Sequence, residues 1–259
     1  MTDHQVHFVI LSRHPRAADL LRRGLGQCPG VQAYGELFNA SEAMRRYASG
    51  PGLVPYRLGE DGASYLDRQV FGSASIRDAR AVGFILDQGD ARVDQRLITA
   101  WDYLIGRTDI RVIHLTRTDL LAHLVDTAVE DRVGGWLDRS GQPAAYDVEP
   151  FSVSSYSCQE AFDRHVTGQL WVRRAFAAHP LLELEYAADV VGDVHHTLSR
   201  SCAFIGVDPS GLGDGIPALQ STIQVAPHEI LLNYKELMEH FKHTIYANLF
   251  LGDEQGVRS

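Results

Sequence analysis

The stretch VHFVILSRHPRAADLLRRGL, Val6 to Leu25, decides how the rest of the chain is read. Val6–Leu11 is an apolar run of strand length, of the kind shown by a strand buried on both faces. Ser12, Arg13 and His14 break it. Pro15 then suits the first position of a helix, where its missing N–H costs nothing. Ala17, Leu20, Leu21, Gly24 and Leu25 follow at helical spacing, and Pro29-Gly30 ends the segment. The unit is a strand, a short polar turn and a helix.

The same cycle recurs along the chain. Ala81–Leu86 reads as a strand and Val93–Leu104 as a helix. Ile110–Leu115 is the strongest buried strand, with an amphipathic helix marked by Leu121, Leu124, Val125, Ala128 and Val129 behind it. The pattern then predicts a helix over Gln159–Phe176, a strand over Leu181–Tyr186 and a helix over Asp189–Ile205. Gly211–Gly215 reads as loop. Ile230, Tyr234, Leu237, Met238 and Phe241 mark a final helix, with Ile245 and Leu249 continuing its phase. Strands alternating with helices imply an α/β fold with a central parallel sheet flanked by helices. Ligands of such sheets bind at the carboxyl ends of the strands, so the loops after Leu11, Leu86 and Leu115 are where a site is expected.

Composition narrows the function classes. The 259 residues are 45 % hydrophobic and 22 % charged, an ordinary globular balance. No stretch reads as a linker, so a single domain over 1–259 is expected. The net charge of −9 argues against a nucleic-acid partner, which needs lysines and arginines on phosphate. It leaves a local anion pocket open. Cys28, Cys158 and Cys202 are odd in number and far apart, which suits reduced thiols and a cytoplasmic location. The apolar run Phe8–Leu11 is too short for a signal segment, and no membrane segment is expected. No GxxxxGK[ST] motif follows the first strand, which counts against a nucleoside-triphosphate kinase.

Four segments carry a resemblance. They are FVILSRHPRAADLLRRGLGQCPGVQAYGELFN (Phe8 to Asn39), IRVIHLTRTDLLAHLVDTAVEDRVGGW (Ile110 to Trp136), LELEYAADVV (Leu182 to Val191) and HEILLNYKELMEHFKHTIY (His228 to Tyr246). In this order they resemble sulfotransferases that use 3′-phosphoadenosine-5′-phosphosulfate (PAPS), above all the bacterial carbohydrate and trehalose-type members. Leu20-Leu21 and Tyr34-Gly35-Glu36 fall at that family's spacing without a gap. The resemblance implies a sulfotransferase architecture, which is like that of P-loop NTPases. PAPS would be the cofactor, PAP its product, and a hydroxyl of a small molecule or glycan the acceptor. It carries the 5′-phosphosulfate contact onto Arg13, His14, Arg16, Ala17, Ala18, Asp19 and Leu20, with Arg16 also catalytic. Arg117 and Thr127 would hold the 3′-phosphate, and Glu36 would be the base. The physical need is plain: a helix N-terminus offers unpaired N–H groups and partial positive charge to an anion. Positioning and electrostatics then supply most of the rate, as in phosphoryl transfer.

The sequence departs from the family at named positions. Pro15 stands where the family has Arg, Arg16 at Ser, Ala17 at Gly and Ala18 at Ser or Thr. Asp126 falls on the Ser of the 3′-phosphate site, and Ile85 on the Lys of Gly-Phe-Lys. These substitutions favour a second reading: a non-catalytic binding or scaffold protein, or one using a different anionic ligand. Plainer roles stand beside each functional one. Glu36 could open the following helix, where the dipole favours it. Arg117 could pair with Asp119 or Asp126, and Arg13 and Arg16 could sit on a solvated loop. Glu185 and Tyr186 read as surface and packing groups. His195-His196 and the His240/His243 pair read as solvated histidines, with no metal site. Tyr234, Phe241 and Tyr246 read as core. Trp101 and Trp171 have no assigned role, and Trp136 would border the acceptor pocket, shaped by residues 39–71 and 133–157.

Overall fold

The computed structural model of the chain describes residues 5–50, 52–73, 76, 78–88, 97–133, 148–212 and 226–251. Its backbone falls into two compact units: Met1–Thr116 with Leu170–Ala218, and Arg117–Gln169 with Leu219–Ser259.

The first unit carries a five-stranded parallel sheet in the order β2-β3-β1-β4-β5. The strands are β1 (Val6–Ser12), β2 (Val31–Glu36), β3 (Ala81–Asp87), β4 (Arg111–Thr116) and β5 (Leu181–Glu185). β1 is central, and the chain order reverses around it, so its carboxyl end is the topological switch point of the sheet. The α/β expectation holds, and β1, β3, β4 and β5 lie where the apolar runs put them. β2 has no counterpart in that reading. Its segment VQAYGE holds the polar Gln32 and Glu36 and is interrupted by Gly35, as befits an edge strand.

Helix α1 (Pro15–Leu25) follows β1, with Pro15 at its start. α2 (Glu42–Ser49) is capped by Ser41. α3 (Gly62–Tyr65) runs into a π-turn, Leu66–Val70, and α4 is Ile98–Gly106. Val9 and Leu11 share a core with Phe84, Ala100, Leu104, Val172 and Phe176. Phe8 and Ile10 alternate to the opposite sheet face. Gly83 has to be glycine there, because a Cβ would lie 2.4 Å from the Phe8 ring.

α5 (Leu120–Val133) follows β4, and α6 (Ser155–Ala175) covers the expected helix with an earlier start. The helix expected over Asp189–Ile205 is two elements: a π-turn at Tyr186–Val191, then α7 (Val194–Phe204) capped by Asp193. α1 packs directly on α7, since a Cβ at Gly24 would meet Leu198 at 2.5 Å.

The second unit has its own core, including Leu121, Val125, Phe162, Leu237, Phe241 and Phe250. The final helix is broken into α8 (Pro227–Ile230) and α9 (Tyr234–Phe241). The break has a cause. Leu231 bridges Phe151, and the Asn233 amide both donates to Val153 O and accepts from Val153 N. After Phe241 the chain turns and forms a 3₁₀ segment, Ala247–Phe250, so Ile245 and Leu249 do not prolong α9. Tyr246 and Phe241 pack on Phe162, as core aromatics.

Candidate functional site: the turn between β1 and α1

The carboxyl end of β1 is built by local hydrogen bonds. His14 N donates to Ser12 Oγ at 2.8 Å, and Gln88 N donates to Ser12 O at 3.1 Å, which ties the turn to the end of β3. Ser12 lies in register with Asp87 of β3, so a carboxylate-bearing residue borders the turn. His14 caps α1: its Nδ1 accepts from Ala17 N at 3.3 Å, and its carbonyl accepts from Ala18 N at 3.1 Å. The imidazole is buried and stacks on Tyr186 at the end of β5, with centroids 4.4 Å apart. With Nδ1 as acceptor, a neutral ring carries its proton on Nε2. Ser12 and Asp87 border the turn without having been singled out from the sequence; Tyr186, read as a packing group in one of the resembling segments, packs here on His14.

The expected phosphosulfate residues divide by burial. Arg16 is only 9 % exposed, which removes the solvated-loop reading for it, whereas Arg13 is half-buried. Ala17 and Ala18 are fully buried and Leu20 nearly so. Their side chains are packing groups, and only their backbones could serve an anion. The Asp19 carboxylate is held by Arg22 Nε at 2.8 Å and Arg23 Nε at 2.6 Å, one helical turn further on. Its charge is therefore matched within α1, away from the first turn, where no acidic residue stands.

Glu36 ends β2 directly after a register shift between Tyr34 and Glu36. Such a bulge re-aims the side chain that follows. Gly35 allows the backbone to pass against α2, where a Cβ would come within 2.9 Å of Ala48. The half-buried Glu36 accepts from Asn39 Nδ2 at 2.9 Å, and the first turn of α2 is occupied by Glu42 instead. The same loop is anchored by the buried Arg45, whose guanidinium donates to the carbonyls of Asn39, Ala40 and Tyr56. On α2 a cavity of about 570 Å³ is lined by Glu42, Arg46, Val54, Tyr56, Arg57 and Leu58, inside the span expected to shape the acceptor pocket.

The expected 3′-phosphate residues lie in the second unit. Arg117, 5 % exposed, donates from Nε to Asp119 at 2.5 Å and from Nη1 to Asp126 at 2.6 Å. Burial alone would lower its pKa, but hydrogen bonds and charge from the two aspartates prevail and raise it. Its carbonyl accepts from Gln169 Nε2 at 3.2 Å. The guanidinium thus makes the structural ion pair, with both candidate carboxylates. Thr127 is exposed, and its hydroxyl donates to His123 O at 2.9 Å along its own helix.

His195, His196, His240 and His243 are exposed, and among the described residues no three His, Cys, Asp or Glu side chains gather as metal ligands. Trp101 is buried against Trp171, with centroids 5.0 Å apart. Trp136 and most of the span 133–157 lie outside the described residues, as does the start of the helix expected from Val93. Among the described residues, no helix is long and apolar enough to cross a membrane.

This chain is similar in outline to solved sulfotransferases. The sulfotransferase from Alicyclobacillus acidocaldarius is 16 % identical over 92 % of both chains, with a TM-score of 0.46. The sulfotransferase domain from the curacin biosynthetic pathway is 13 % identical over 95 % of this chain and 83 % of its own, at 0.42. Mouse sulfotransferase SULT7A1, solved with PAP, is 12 % identical over 96 % and 89 %, also at 0.42. No protein-family model matches the sequence, and no curated protein matches it.

Proposed function

We propose that the chain is a sulfotransferase-like enzyme of one domain that takes a sulfuryl group from PAPS to a hydroxyl of a small molecule or glycan. The observation that carries the reading is the turn at the carboxyl end of β1, where Arg13 and His14 precede α1, the buried Arg16 lies in its first turn and Asp19 is neutralised by Arg22 and Arg23. A helix start with basic residues and no acid in its first turn suits a phosphosulfate. The four resembling segments support the choice of PAPS over other anions.

Arg16, Arg13 and the His14 ring would bind the 5′-phosphosulfate, with the backbones of Ala17, Ala18, Asp19 and Leu20 behind them. Arg16 would also offset the charge that grows on the bridging oxygen as the hydroxyl attacks. Glu36 would take the proton of that hydroxyl. The cavity beside α2 would receive the acceptor. Arg117 and Thr127 would meet the 3′-phosphate after Asp126 releases the guanidinium. Reduced thiols and the lack of a spanning helix among the described residues are compatible with work in the cytoplasm.

The second reading, a protein of this fold that binds without transfer, is favoured by one observation: two carboxylates already occupy Arg117. Isothermal titration with PAP tests the nucleotide site, and release of PAP from PAPS in the presence of a hydroxyl acceptor separates transfer from binding alone. Binding at micromolar to high-micromolar PAP together with that release supports the enzyme; binding without release supports the second reading. No heat at millimolar PAP, with the protein folded by circular dichroism, removes the PAPS assignment.

A further inference from the structure

Two of the three cysteines face each other in the first unit. Cys28 lies in the turn between α1 and β2, and Cys202 lies near the end of α7. Their sulfurs are 2.9 Å apart although the residues are 174 positions apart in sequence. Both are held in place from several sides. Cys28 N donates to Leu25 O, and Val31 N donates to Cys28 O. Cys202 O accepts from Val207 N, and α7 is pressed on α1 at Gly24 and Leu198. A disulfide needs about 2.05 Å between sulfurs, so closure asks for a movement of under an ångström.

We propose that Cys28 and Cys202 are a site of oxidative modification, forming an intramolecular disulfide with hydrogen peroxide. One sulfur, as thiolate, attacks a peroxide oxygen; the O–O bond breaks, water leaves and a sulfenic acid remains. The second sulfur attacks the first, the S–S bond forms and a second water leaves. Two thiols are oxidised and one peroxide is reduced. Burial pushes the Cys202 thiol up, with its contact to Cys28 adding to the effect, so the reaction is slow and gains speed as pH rises. Access runs through the Cys28 side. That residue is itself buried but sits between exposed Gln27 and exposed Pro29, one layer below the surface. Cys158 is buried in the other unit.

The bond would join the turn after α1 to α7 across a long loop, and closing long loops stabilises most in the chain-entropy model. The test uses the full chain treated with hydrogen peroxide and then mapped by mass spectrometry without reduction. The expected product is a peptide pair linking Cys28 to Cys202, 2 Da lighter than the two free peptides, with one titratable thiol left of three under denaturing conditions. Tm should rise by about 5–10 °C, and dithiothreitol should reverse it. Cys158→Ser should behave like the parent, and Cys28→Ser should lose both the link and the rise. A map in which Cys28 or Cys202 proceeds to sulfinic acid, or in which all three thiols survive, overturns the proposal. None of these readouts depends on nucleotide binding.

Discussion

The β1–α1 turn and the Arg117 cluster, both proposed to meet phosphate, each set an aspartate beside arginines. In the turn, Asp19 faces down its helix and its charge is taken by Arg22 and Arg23. In the cluster, the arginine itself is consumed, by Asp119 on one edge of the guanidinium and Asp126 on the other. An acid three or four residues before its arginines is thus a helix-internal matter. An acid that reaches a strand-end arginine competes with the ligand. The turn should therefore carry the binding, and the cluster should resist it.

The largest effect expected under this contrast lies beside the turn. Glu36→Gln should lower PAP release from PAPS, in the presence of a hydroxyl acceptor, by about 10²–10⁴-fold, with PAP affinity changed less than twofold. Equal losses in affinity and turnover would make Glu36 a structural group. Next, Arg16→Ala should weaken PAP by about tenfold to a hundredfold in calorimetry, the worth of a charge-assisted hydrogen bond at about 1.5–3 kcal/mol. An unchanged Kd would break the contrast on its first side.

Asp126→Ser sharpens the second side. Freed of one carboxylate, Arg117 should bind PAP about tenfold more tightly while leaving AMP, which has no 3′-phosphate, unchanged; Tm should fall by a few degrees as a buried charge loses a partner. Asp19→Ser should do less, about two- to threefold on PAP, because its arginines lie down the helix. If Asp19→Ser gives the larger gain, the two regions have been read the wrong way round.

A pH effect belongs to the sheet itself. His114 on β4 is fully buried, and burial outweighs the nearby Glu183 to bring its pKa to about 4. The unfolded chain binds this proton from about pH 6.5 downward and the folded chain only near 4. Stability should thus fall as pH drops through that window, by up to about 3 kcal/mol from this residue. Denaturant titrations of His114→Leu should show a flatter pH dependence than the parent. Parallel curves would assign the acid loss to other groups.

Much of the fold was legible because the sheet interior is written in long apolar runs: Val6–Leu11, Ala81–Leu86 and Ile110–Leu115 needed no tertiary knowledge. β2 was not, since an edge strand with Gln32, Gly35 and Glu36 carries little apolar signal. The break before α9 depends on Asn233 bonding to Val153, far away in sequence, which no local pattern encodes. At the site, Asp19, Arg22 and Arg23 are in plain view in the sequence, but only the folded helix shows that both arginines take the Asp19 carboxylate. The stacking of Tyr186 on His14 joins two strand ends that only the folded sheet brings together.

The most direct test of the central claim is to titrate PAP into the isotope-labelled chain and follow backbone amides by NMR. The expected result is that the amides of residues 12–18 shift most, in proportion to occupancy. Saturable binding with those amides unmoved would contradict it.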